Sequence, residues 1–346
     1  MKKLVLTASA ITSLAISHLS SAAYPEKSIR LVVPFATGGT SEIVARSVAN
    51  SLSTSLGQSV YVDNKPGGAG NIAMEEVKRA NPDGYTLILG HVGTLAVNPA
   101  LFGSKLPYDP NKDFAPVTLV AKVPNVIAVS SKSSFKTLAD LVADAKKNPG
   151  KINYGSAGNG SAGHLAMEYF SAVAGIDLVH VPYKGSGPML TDLIGGQIQA
   201  TFNGLPSLMG QISGGALRPL AVGSAERSKV LPKVPTIAES GYKGFETSQW
   251  YGIMAPAGTP KPIIDRLQKD IAKSLKNKED TKRMIEDGAV LVGDTPEQFA
   301  AFIKVEQGRW GKVVEKAGIQ VDWFTDESAR LHPPLFFTVH LRCLHR

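Results

Sequence analysis

The stretch 152-INYGSAGNGSAGHLAMEYF-170 decides how the chain is read. A short β-type run enters a loop with glycine at 155, 158, 160 and 163, and an amphipathic helical pattern leaves it. Glycine lets the backbone approach a ligand closely, and a helix that begins right after such a loop aims free N–H groups and its positive dipole end at whatever is bound. The spacing Gly158-x-Gly160-x-x-Gly163 is also that of the dinucleotide fingerprint. The nature of the bound group is therefore the question.

Working outward, the same order of β-rich run, glycine-rich loop and helix recurs along the chain. Ile29–Val33 leads into Pro34-Phe35-Ala36-Thr37-Gly38-Gly39-Thr40, after which Ile43, Val44, Val48, Leu52 and Leu56 recur at helical spacing and Gly57 sits at a C-cap. Val60–Val62, the loop Asn64–Asn71 and a helix to about Ala80 follow, then the turn Asn81-Pro82-Asp83-Gly84 and the strand Tyr85–Leu89. A second series starts after Pro124. It contains Val126–Val129, a helix over Thr137–Lys147, the opening stretch, Leu178–Val181, the loop Pro182–Pro188, a helix to Ile194, and runs at Ala200–Phe202 and Leu220–Val222. Such alternation predicts an α/β fold with mostly parallel sheets flanked by helices, and ligands beyond the carboxyl ends of the strands. The last segment has one β-run, Tyr251–Met254, and helices over Ile263–Leu275 and Pro296–Ala317. It is expected to return to the first domain, so that two connections, near residues 124 and 250, make a hinge.

The chain has 346 residues, enough for two domains. Lys2 and Lys3 precede an uncharged stretch, Leu4–Ile16, and Ser21-Ala22-Ala23 offers the small residues that signal peptidase requires, so residues 1–23 read as a secretory signal peptide. Export to the periplasm follows. The tail 323–346 carries His332, His340, His345 and the single cysteine, Cys343, with no helical or alternating period and no zinc spacing, and is expected to be a disordered extension. The net charge of +8 falls to +5 once two lysines at the start, and three arginines against two acids in the tail, are set aside. The densest basic stretch, Lys269–Arg283, also carries Asp270, Glu279 and Asp280. It reads as a solvated helix face, and a nucleic-acid partner is excluded.

Enzyme readings fail on particular residues. A dinucleotide site needs an acid at the carboxyl end of the second strand, whereas Asp177 precedes the run Leu178–Val181. There is no P-loop, no paired carboxylate and no His-x-x-x-His helix, so neither a cofactor nor a metal is expected. An exported hydrolase using Ser161 and His164 is the alternative, although no acid partner has the spacing to complete a triad. What remains is an anion site built from backbone at Gly38-Gly39-Thr40, Gly158-Asn159-Gly160-Ser161 and Gly185-Ser186-Gly187. No arginine stands in these loops, which suits a carboxylate that must later be released.

The motifs RLVVPFATGGTSEIVAR, NKPGGAGNIA, NPDGYTLILG, INYGSAGNGSAGHLA, HVPYKGSGPMLTDLIGGQI and APAGTPKPIIDRL, in this order, resemble the Bug family, the periplasmic solute receptors of tripartite tricarboxylate transporters. The resemblance spans about residues 24–322. It implies a two-lobed periplasmic binding protein of the type II-like clamshell kind, with lobe 1 from 24–124 and 253–322, lobe 2 from 125–252, and two crossing hinge strands. It implies a small organic carboxylate as ligand, a large and a small membrane transporter subunit as partners, a monomer and no catalysis. The ligand contacts it implies are Phe35, Thr37, Gly38, Gly39, Thr40 and Glu42 on the first lobe. On the second they are Ser156, Gly158, Asn159, Gly160, Ser161, His164, Tyr183, Asn203 and Ser207. Two positions depart from the family's usual residues: Glu42 replaces Asp and must enter the pocket or turn away, and Asn203 replaces an Asp suited to an amino-acid ammonium. The tail has no counterpart in the family.

Overall fold

Ile29, Leu31 and Val33 point to one side of strand β1 (Ile29–Val33) and Val32 to the other, each into a separate apolar cluster. A strand buried on both faces reads as a continuous apolar run, and here only Arg30 interrupts it, held by Asp63 and Glu76. The computed structural model describes residues 24–317, so residues 1–23, where a signal peptide is expected, the tail and residues 318–322 lie outside the described residues.

Helix α1 (Thr40–Leu56) leaves β1 and ends on Gly57, whose φ of 65° is the left-handed C-cap. Then come β2 (Val60–Asn64), α2 (Asn71–Lys78), β3 (Thr86–His91), a π-helical turn over Gly93–Val97 and α3 (Asn98–Phe102). The 17-residue strand β4 (Phe114–Ser130) follows, then α4 (Leu138–Lys147), opened by a capping box at Thr137. The second series runs β5 (Asn153–Ser156), α5 (Ala162–Ala174), β6 (Val179–Pro182), α6 (Ser186–Gly195), β7 (Ala200–Gly204), α7 (Leu205–Ser213) and β8 (Leu217–Val222). It closes with β9 (Ser248–Pro256), α8 (Lys261–Ser274), α9 (Lys278–Glu286), β10 (Val290–Leu291) and α10 (Pro296–Ala317).

The strands run in the order β2-β1-β3-β9-β4-β7-β5-β6, with β8 and β10 also on β4. The pairs β1–β2, β1–β3, β5–β6 and β5–β7 are parallel, while β9 and β4 enter antiparallel. Strand β4 serves both halves: Phe114 to Pro124 pairs with β9, and Asn125 onward pairs with β7 and β8. Of the clusters on the two faces of β1 and β3, one lies within the first half and the other also takes in Ala162 and Leu165 of α5 from the second; two further clusters, around Phe202 and around Met189, belong to the second half. The result is two α/β lobes joined through β4 and through the return of the chain into β9. That return falls at 247/248, because Ser248–Gly252 already pairs with β4, and Gly252 with β3, in the first lobe. Residues 248–252 thus sit in the first sheet rather than in the second lobe, where the sequence reading placed them.

Candidate ligand-binding site

Helices α1 and α6 start at Gly39 and Gly185 without any side-chain cap, and α5 starts at Ser161, whose Oγ accepts from the His164 N–H at 3.3 Å. All three starts meet at one cavity between the lobes. Its first-lobe wall is Phe35, Ala36, Gly39, Thr40, Ser41, His91, Gln249 and Tyr251; its second-lobe wall is Ala157, Ser161, Ala162, Gly185, Ser186 and Asn203. None of these side chains is a carboxylate, lysine or arginine, so the positive potential comes from the helix ends, each equivalent to about half a charge. This is an environment for an anion with an apolar body.

The lobes touch in this structure. The cavity leaves about 20 Å³ for the centre of a water-sized sphere, where about 10–15 Å³ holds a single water. An organic acid can enter only if the lobes part. The glycines of the cleft explain the close approach: a Cβ on Gly185 would stand 2.7 Å from the Thr37 carbonyl, and one on Gly160 would collide with Ala69. Both have positive φ, 103° and 70°. They meet the opposite lobe, a use of glycine different from cradling a ligand.

Of the residues singled out from sequence, Phe35, Gly39, Thr40, Ser161 and Asn203 stand in the wall. Thr40 Oγ1 is buried without a hydrogen-bond partner. Asn203 is 5% exposed, donates to Ser186 Oγ at 2.9 Å and accepts from the Gly204 N–H. The structure places the others around the wall. Glu42 turns away: it accepts from the Gly38 N–H at 2.5 Å and from Arg46 at 2.7 Å, so the longer side chain ties down its own loop. Thr37 and Gly38 lie on the rim. Tyr183 reaches Asp192 at 2.6 Å, and Ser207 binds the Gly204 carbonyl at 2.8 Å. Gly158, Asn159 and Gly160 form the loop behind Ala157 and Ser161. Wall residues that the loop-based reading missed are His91, Gln249 and Tyr251. They come from strands, and Gln249 holds the hinge residue Asn125 at 2.6 Å while accepting from Tyr251.

Beneath the 156–161 loop lie two stacked histidines. His164 and His180 have ring centroids 4.0 Å apart, His180 Nε2 meets Ser156 Oγ at 2.7 Å, and His164 Nδ1 accepts from the Gly160 N–H at 3.2 Å. The Ser161–His164 pair of the hydrolase alternative is therefore a helix cap plus a loop brace. Burial lowers the pKa of His164 to about 4; burial, and then the neighbouring His164, lowers that of His180 to about 3. The folded chain refuses protons that the unfolded chain accepts below its ordinary histidine pKa of 6.5. The stabilisation is present above pH 6.5 and is lost as pH falls through the folded values. Urea midpoints measured from pH 7.5 to 4 should fall on acidification, and His164→Gln should flatten that fall; an unchanged slope would contradict the buried neutral pair.

A cleft between two α/β lobes that is walled by helix starts and carries no charged side chain is built to hold a small anion. The chain matches the tripartite tricarboxylate transporter family receptor over residues 44–319, and it belongs to that family. BugT of Bordetella pertussis is 38% identical over 304 residues, 88% of this chain and 93% of that protein. Among solved structures, Rpa4515 of R. palustris with adipate superposes with a TM-score of 0.82 at 40% identity, covering 86% of this chain and 99% of the other. MatC of Rhodopseudomonas palustris with bound malate gives 0.80 at 32% identity, covering 84% and 100%. Family and neighbours are solute-binding proteins, which overturns the hydrolase alternative. Among the described residues no helix is long and apolar enough to cross a membrane, and no group of three His, Cys, Asp or Glu is placed to hold a metal.

Proposed function

We propose that the protein is a periplasmic receptor that closes its lobes over a small organic carboxylate and presents the closed form, as a monomer, to the large and small subunits of a membrane transporter. The observation that carries this is the convergence of three helix starts from two lobes on one cavity without charged side chains. Adipate and malate in relatives of 40% and 32% identity support a dicarboxylate, and the apolar wall of Phe35, Ala36, Ala157 and Ala162 suits a ligand with a hydrocarbon body. Lobes 24–124 with 248–317, and 125–247, rotate about the crossings at Pro124/Asn125 and Thr247/Ser248, with ligand contacts to both lobes made only on closure.

Thermal shift and calorimetry against di-, tri- and aromatic carboxylates test the reading. A response to at least one acid is expected, and a folded protein that responds to none sinks it. Export has its own check. The intact mass of protein recovered from the periplasm should lack residues 1–23 and begin near Tyr24; a mass that retains Met1 would remove the signal-peptide assignment.

A further inference from the structure

We infer that His91 recognises the bound molecule directly, donating its Nε2–H to a ligand oxygen. The inference rests on the receptor reading and deepens it. His91 ends β3 at its carboxyl end, where ligands of α/β sheets sit, and its ring forms part of the cavity wall. It is 2% exposed. The Thr94 backbone N–H and the Thr94 Oγ1 both stand 3.1 Å from Nδ1; the backbone N–H can only donate, so Nδ1 presents its lone pair. In a neutral imidazole the proton then stands on Nε2. Burial keeps the ring neutral by lowering its pKa to about 3. Nε2 is a buried donor without a partner. Among the described residues six buried side-chain atoms lack one, and two of these, His91 Nε2 and Thr40 Oγ1, belong to residues of the cavity wall. Buried donors are nearly always satisfied, which marks this one as awaiting an acceptor.

The ring is also fixed in direction. Phe35 meets it edge-on at 4.5 Å between centroids, Tyr251 stacks at 6.3 Å, and the ring edge lies against the Gly93 backbone, where an added Cβ would stand 2.6 Å from Cε1, 2.8 Å from Nε2 and 3.1 Å from the Gly160 carbonyl oxygen. A preoriented group that only donates selects an acceptor, such as a carboxylate, hydroxyl or carbonyl oxygen, and disfavours a ligand ammonium at that place. The chemical class is an acid without an amino group facing β3.

The full chain, labelled with ¹⁵N-histidine, gives the test through long-range ¹H–¹⁵N correlation, with adipate, malate, benzoate and glutamate as probes. His91 should be the Nε2–H tautomer before any addition, and its Nε2 signal should move on saturation with an acid that binds. His91→Leu should weaken that acid about tenfold or more. His91→Gln, which returns an N–H near the Nε2 position, should restore binding to within a few-fold, with both variants folded by circular dichroism. An Nδ1–H tautomer, or wild-type affinity in His91→Leu, overturns the inference. If none of the four probes binds folded wild-type protein, the receptor reading is what fails for these acids. The tautomer then decides His91 alone, Nε2–H supporting it and Nδ1–H overturning it. Should the leucine variant not fold, the tautomer and the glutamine variant decide.

Discussion

Gly185→Ala is expected to weaken ligand binding roughly 5- to 150-fold while both lobes stay folded. The added methyl would stand 2.7 Å from the Thr37 carbonyl of the opposite lobe, and this contact exists only when the cleft is shut. Overpacking of this kind costs about 1–3 kcal/mol, and each 1.4 kcal/mol is tenfold in an equilibrium. Gly160→Ala, which would collide with Ala69, should act in the same direction. Positive φ adds local strain in both variants, so a control is needed. Gly175→Ala supplies it for Gly160→Ala: φ is 61° against 70°, and nothing lies within 4 Å of the added atom, so it carries left-handed strain without the wedge, whereas at Gly185, with φ 103° and ψ 172°, a larger backbone strain adds to the wedge. Calorimetry on the three variants, with small-angle scattering to follow lobe separation, separates the two effects. Equal affinities for Gly185→Ala and Gly175→Ala would show that the cleft glycines do not govern closure.

That prediction reverses the first reason for attending to these glycines. The loops at 38–39, 158–160 and 185–187 are visible in the sequence because glycine punctuates, and so are the helices behind them, because apolar residues recur at helical spacing. The sequence does not say which surface each glycine approaches; only the meeting of lobes tells that Gly160 and Gly185 face protein. Strand β4 was half legible. Val126–Val129 reads as a strand, and pairing with β9 extends it back through Phe114–Val123 into one strand across both lobes. Gln249 and Tyr251 escaped for a related reason. They alternate on one face of β9 and reach the cavity because β9 returns next to β3, a placement set by sheet order and not by any local signal. Glu42 shows the converse, a candidate at a helix start whose carboxylate is consumed by Gly38 and Arg46.

Trp250→Ala should be the most destabilising of the single changes considered, because one side chain joins the hinge strand to α10. Trp250 is 2% exposed, packs edge-on against Phe299 and Phe302 of α10 and donates its Nε1–H to Glu306 at 2.8 Å. Truncating a buried tryptophan costs about 3–5 kcal/mol, a large share of the roughly 5–15 kcal/mol that holds an ordinary domain together. Glu306 is itself buried and keeps Arg309 at 2.9 Å, so the charge is not left alone and the packing loss dominates. Trp250→Phe separates the two contributions. It keeps most of the apolar contact and removes only the donor to a carboxylate, worth about 1.5–3 kcal/mol. Urea unfolding followed by far-UV circular dichroism should therefore rank wild type above Trp250→Phe above Trp250→Ala. Because Gln249 and Tyr251 flank Trp250 and turn to the cavity, the alanine variant should also lose ligand affinity at urea concentrations where it is still folded. An alanine variant with a wild-type midpoint would mean that α10 is held to the sheet by other contacts. Unchanged affinity in a clearly destabilised variant would mean that the cavity floor is fixed from the hinge side, through Asn125 and Gln249.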